Sequence, residues 1–205
     1  VRMRASRPPP RFVEVNPRQR SAAFTHTMGQ ALALLARWDT PVARHTLAAI
    51  KRGDVKVDEL ADLTSKDFAR VRKQLAGWGA PLDQRDFRSL HDEKSKASRT
   101  VRTMIDGYAW DNRIYLHPDL TPREMATTLA HEVNHVLNRS EEHYRTPKAV
   151  LREEYRAFLA ARLATGEVMT PRKCQLLKEQ VISNYELTGV TAADVPDLPP
   201  GVGLR

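Results

Sequence analysis

Residues 121–138 read TPREMATTLAHEVNHVLN. Thr121-Pro122 is a helix start, because a threonine hydroxyl accepts from the free amides of a first turn and proline needs no N–H at the first helical position. Glu124 supplies the acid that closes a capping box. Behind that start, Met125, Leu129, Val133, Val136 and Leu137 recur at helical spacing. The pattern predicts a helix over 121–138 with one apolar stripe. Within it stand His131, Glu132 and His135. Positions four apart differ by about 40° around a helix, so both imidazoles leave one face. Two imidazoles one turn apart can bind one zinc ion at about 2.0–2.1 Å each. Glu132 lies beside that ion, placed to take a proton from water.

Outward from this helix the chain alternates helix starts with one strand-rich stretch. Thr40-Pro41, Thr146-Pro147 and Thr170-Pro171 repeat the capping logic. Helices are expected at about 21–38, 41–52, 58–63, 65–76, 85–97, 121–138, 146–165 and 170–184. Val101–His117 differs: Val101, Tyr108, Trp110, Ile114 and Tyr115 favour strands, and Asp111-Asn112 suits the turn of a hairpin. The expected fold is α+β, predominantly α-helical, with a small sheet or hairpin packed on the helix that carries the histidines.

The stretch Thr128–Leu137 resembles the metal-binding helix of zincin metallopeptidases. Asn112–Leu116 resembles the edge strand that lines the zincin cleft and pairs with an extended substrate. The resemblance covers about residues 100–165 and leaves 21–99 aside. It implies one catalytic zinc held by three protein ligands, with Glu132 as general base in peptide hydrolysis. The metzincin pattern needs Gly at 138 and His at 141, where this chain has Asn138 and Glu141. The gluzincin pattern uses a glutamate on a following helix, and Glu154, with Ala157 and Phe158 after it, is similar to that glutamate. Glu153 is the alternative, about 100° away around the helix, and His143 is a rival third ligand. Zincins add a donor for the developing oxyanion; candidates are His143, Tyr144, Tyr155 and Tyr185. Asn134, Asn138 and Glu142 are candidates for orienting the imidazoles.

Charge organises the rest. The 205 residues carry a net charge of +8. Val1–Arg20 alone holds six Arg, one Glu and four Pro, leaving a nearly balanced remainder. The expected layout is a flexible leader at 1–20, a single zincin-like domain at 21–195 and a flexible tail at 196–205. Within the domain, 21–99 is a helical N-terminal part and 100–195 the metal-site part. One cysteine, Cys174, excludes an internal disulfide and a cysteine-based zinc site. No apolar run is long enough to span a membrane, and none near the start resembles a signal peptide. The expected setting is cytoplasmic, or secreted or translocated without such a peptide. Protein or peptide is the expected partner. The leader's charge and the format fit a protease toxin or secreted effector. Two other classes compete: a basic helical nucleic-acid-binding protein, which the concentration of charge in 1–20 disfavours, and a non-catalytic zincin scaffold acting as a binding or regulatory protein, which the intact His131, Glu132 and His135 disfavour.

Overall fold

Four threonines and a serine set the frame. In the computed structural model, which describes residues 21–59, 107–110, 112–116, 120–138 and 145–203, α1 (Ala22–Trp38) starts where Ser21 Oγ accepts from the Phe24 amide. α2 (Pro41–Arg52) starts at Thr40 and stops at Gly53, whose φ of 80° suits glycine. α3 (Pro122–Leu137), α4 (Pro147–Ala164) and α5 (Pro171–Asn184) start at Thr121, Thr146 and Thr170, each hydroxyl accepting from the amide three residues on. At α3 the box is reciprocal: Glu124 Oε2 accepts from the Thr121 amide at 2.9 Å.

Three short strands form one sheet in the order β1-β3-β2. β1 (Lys56–Glu59) runs parallel to β3 (Arg113–Leu116), and β2 (Gly107–Trp110) runs antiparallel to it. Trp110 pairs with Arg113, and Asn112 stands in the turn, while Asp111 lies outside the described residues. Two expectations are corrected here. The helix expected at 58–63 gives way at its start to β1: Val55 and Val57 turn inward, Lys56–Glu59 pairs along β3, and Arg113 bonds Asp58 at 2.7 Å. Long-range pairing overrides a weak local helix preference. The strand Arg113–Leu116 is also not an edge. It lies between β1 and β2, with Ile114 and Leu116 fully buried, and among the described residues β1 and β2 are the outer strands.

The leader at 1–20, the helices at 65–76 and 85–97, His143, Tyr144 and Glu142 lie outside the described residues. The core gathers Phe24 and Leu35 of α1, Ile114 and Leu116 of β3, Met125 and Leu129 of α3, and Leu151, Tyr155 and Leu159 of α4, all fully buried. Burial of each such side chain stabilises by about 1.5–3 kcal/mol. α3 therefore sits in the middle of the molecule, against α1, α2, α4 and the sheet.

Of the stretch expected as a flexible tail, 196–205, the structure describes residues 196–203. After a short 3-10 turn (Ala192–Asp194), residues 195–203 lie across the helices. Val195 and Val202 are buried, Lys178 Nζ donates to Val195 O, and the Tyr155 hydroxyl donates to Asp197 O. The proline- and glycine-rich composition reads as a loose end, but its backbone carbonyls find donors and its two valines find the core.

Candidate metal centre

α3 and α4 meet at His131, His135 and Glu154. The capped start of α3 and its apolar stripe fix the helix against the core, which leaves His131 and His135 one turn apart on the side facing α4. Their Nε2 atoms lie 3.0 Å apart. Glu154 Oε2 lies 3.8 Å from His131 Nε2 and 3.5 Å from His135 Nε2. A tetrahedral ion with bonds of about 2.0–2.1 Å separates its ligand atoms by about 3.3 Å. The three edges straddle that value, so the residues fit a single tetrahedral zinc. Donor chemistry agrees: two imidazoles and one carboxylate are a set used by catalytic zinc.

The surroundings favour a cation. Burial opposes a charged His135, but the carboxylates of Glu154 and then Glu132 outweigh it. Arg156 counters them in part, and the net pKa is raised. Carboxylates that favour positive charge at that imidazole also favour a metal ion in the same place. Packing restricts the rings as well. His131 meets Phe158 edge-on with centroids 4.5 Å apart, and meets His135 at 4.7 Å. Ala157 and Leu159 of α4 are fully buried, so the helix that bears Glu154 is seated by its neighbours.

Glu132 is buried at the same end of α3, and β2 comes down beside it. A Cβ on Gly107 would stand 2.6 Å from Thr128 Cγ2 and 3.2 Å from Glu132 Cγ. Glycine there lets strand backbone approach the glutamate closely. The strand next to Glu132 is thus β2.

Of the four expected oxyanion donors, His143 and Tyr144 lie outside the described residues. Tyr155 is fully buried, and its hydroxyl is committed to Asp197 O at 2.8 Å. Tyr185, which ends α5, reaches the site: its hydroxyl donates to Glu154 Oε2 at 2.7 Å. That bond orients the carboxylate, as outer partners of metal ligands do. Asn134 turns elsewhere, about 100° around α3 from His135, and Asn138 is the C-cap that ends the helix. Asn134 accepts from Arg156 Nε, and both asparagines donate to Gly201 O. The sequence holds no local signal for these pairings, because their partners lie 22 to 67 residues away.

Comparison with known families adds an independent observation. Residues 86–184 match the family model Peptidase_M78, the IrrE N-terminal-like domain. This is a zincin-type metallopeptidase family, and the zincin resemblance of the histidine helix stands on it. The match spans β2, β3, α3, α4 and α5, and so contains His131, Glu132, His135, Glu154 and Asn184. No curated protein and no solved structure matches the chain significantly. The Peptidase_M78 match gives this part of the chain a zinc metallopeptidase-like domain, with peptide as the implied substrate. Among the described residues no helix is long and apolar enough to cross a membrane.

Proposed function

We propose that this protein is a zinc-dependent metallopeptidase of gluzincin type, with His131, His135 and Glu154 as metal ligands and Glu132 as general base. The observation that carries the reading is the triangle of Nε2, Nε2 and Oε2 atoms with edges of 3.0 to 3.8 Å. A bound zinc would supply a Lewis acid that polarises the scissile carbonyl and acidifies water. The protein's own groups do the rest. Glu132 takes a proton from the attacking water and hands it to the leaving amine. Its burial against Gly107 supports that role by shielding the carboxylate from bulk water. Tyr185 holds Oε2 of Glu154 toward the histidines. The Arg- and Pro-rich stretch 1–20 supports a delivered or docked enzyme, a protease toxin or effector.

Metal analysis of the wild-type chain and its Glu132→Gln form, beside chelator-sensitive cleavage of a general protein substrate, tests the reading. One zinc per chain in both proteins is expected, with cleavage about 10²–10⁴-fold slower in Glu132→Gln. Full cleavage by Glu132→Gln would overturn the mechanism, and absence of zinc from the wild-type chain would overturn the class.

A further inference from the structure

The strap at 195–203, Asn134 of α3 and the C-cap Asn138 form a second polar assembly beside the histidines. Gly201 O accepts from Asn134 Nδ2 and from Asn138 Nδ2, both at 2.9 Å. The other end of the Asn134 amide, Oδ1, accepts from Arg156 Nε of α4 at 3.1 Å. Arg156 also pairs with Glu153, and its Nη2 approaches Asn138 O. Asn134 is 5% exposed and Arg156 is 7% exposed, so the bond between them is made away from water, where an amide or guanidinium without partners is costly. A single side chain, Asn134, thus ties α3 to α4 through its oxygen and to the strap through its nitrogen.

The strap is itself fixed at several points. Lys178 Nζ of α5 donates to Val195 O and to Asp197 Oδ1, each at 2.7 Å. Val202 is buried. A Cβ at Gly203 would stand 3.2 Å from His45 Cδ2, so the strap also lies against α2. Gly201 has φ +86°, and a Cβ there would run into the side chain of Asn138. The residue that accepts from both asparagines therefore tolerates no side chain.

We propose that the strap is a clamp on the metal centre, and that Asn134 is its positioning residue. Asn134 directly precedes His135 on a rigid helix. Turning α3 about its axis, or sliding it along α4, is the motion that would change the distances from His131 and His135 to Glu154. Both motions break the bonds from Asn134 to Arg156 and to Gly201. The strap therefore sets the spacing of the donor triangle without touching it. This inference rests on the metal reading above.

The test uses the full chain and reads zinc affinity by competition with a chromophoric chelator, at a temperature where circular dichroism shows each variant folded. Gly201→Val, which displaces the strap, and Asn134→Ala are expected to weaken zinc by at least about tenfold, the scale for groups that orient ligands. Ser21→Ala, which removes the cap of α1, serves as a control: it destabilises the fold and should leave zinc affinity unchanged. Unchanged affinity in Gly201→Val, or an equal loss in Ser21→Ala, overturns the clamp. A second measurement needs no variant. Coupling between sites is reciprocal, so zinc added to the wild-type chain should slow amide hydrogen exchange across 195–203. Zinc uptake without that slowing overturns the clamp while leaving the metal reading intact. A wild-type chain that takes up no zinc overturns the metal reading, and the clamp with it.

Discussion

Glu153 and Glu154 are neighbours on α4, both almost fully buried, at 2% and 3% exposure. Their surroundings differ. Glu153 faces guanidinium groups: it pairs with Arg156 in the interior and with Arg152 at 3.1 Å. Glu154 faces two imidazoles and the hydroxyl of Tyr185. The two carboxylates point about 100° apart, and that angle separates a structural ion pair from a site. A guanidinium is always charged, so Glu153 has a fixed positive partner within the chain. Imidazoles and a tyrosine give Glu154 surroundings that could hold a metal ion. Residue type and burial are shared, and the charge of the partner decides the use.

The largest effect that can break this comparison is on the Glu153 side. Arg156→Ala leaves Glu153 in the interior beside only the outer Arg152 and removes a donor to Asn134. Breaking a buried pair by deleting one partner costs about 3–5 kcal/mol. Denaturant unfolding of the metal-free protein should show that loss, and a cost below about 1 kcal/mol would mean that the pair carries little of the fold. Replacing both partners, as Glu153→Leu with Arg156→Leu, should recover most of it.

Glu154→Gln is the reciprocal change and should act in the opposite place. The metal-free protein is expected to keep its stability within about 1 kcal/mol, because the amide is similar in shape and no guanidinium is stranded. Zinc affinity should fall on the order of 100-fold or more, above the 10–100-fold typical of outer-sphere changes. Chelator competition and denaturant unfolding on the same preparations read both numbers. Zinc affinity that survives Glu154→Gln and falls in Glu153→Gln would reverse the assignment.

How far this contrast could be read from the chain depends on the distance between partners. The helix starts were legible because capping is local: each Thr-Pro pair carries its own hydroxyl, and the amide it serves is three residues away. The facing histidines were legible because four residues of helix fix their alignment. That Glu154 rather than Glu153 stands with the histidines was expected from the resemblance to a zincin glutamate helix and from the angle between the two residues. What stayed hidden is set by long-range pairing. Lys56–Glu59 has no strand signature of its own and becomes β1 because Arg113–Leu116 lies alongside it. Tyr185 meets Glu154 across 31 residues, and Asn134 meets Gly201 across 67. The strap was hidden for a further reason: its bonds to Asn134, Asn138 and Tyr155 are made by backbone carbonyls, which every residue has, so composition carries no sign of them.

A third glutamate sharpens the comparison at its exposed limit and gives the smallest effect. Glu124, at the start of α3, accepts from the Thr121 hydroxyl at 2.7 Å and from the Thr121 amide at 2.9 Å. The hydroxyl bond first, and then the amide bond, hold its pKa below the ordinary 4.5 against a slight opposing effect of burial. A carboxyl whose folded pKa is depressed adds stability that is complete above its unfolded value. That contribution disappears as pH falls below 4.5 and through the lower folded pKa. The direction is thus loss on acidification, confined to the acid side of the usual glutamate range. Because the group is exposed and solvent screens it, the expected size is a few tenths of a kcal/mol, toward the low end for capping interactions. Melting temperatures of the wild-type chain and Glu124→Gln, followed from pH 7 to pH 3, check it. The wild-type advantage should be constant from pH 7 to about pH 5 and should shrink below that. An advantage that persists unchanged to pH 3 would mean that the neutral acid caps as well as the anion. The charge of a partner would then matter only where water is excluded, which is the condition Glu153 and Glu154 share and Glu124 lacks.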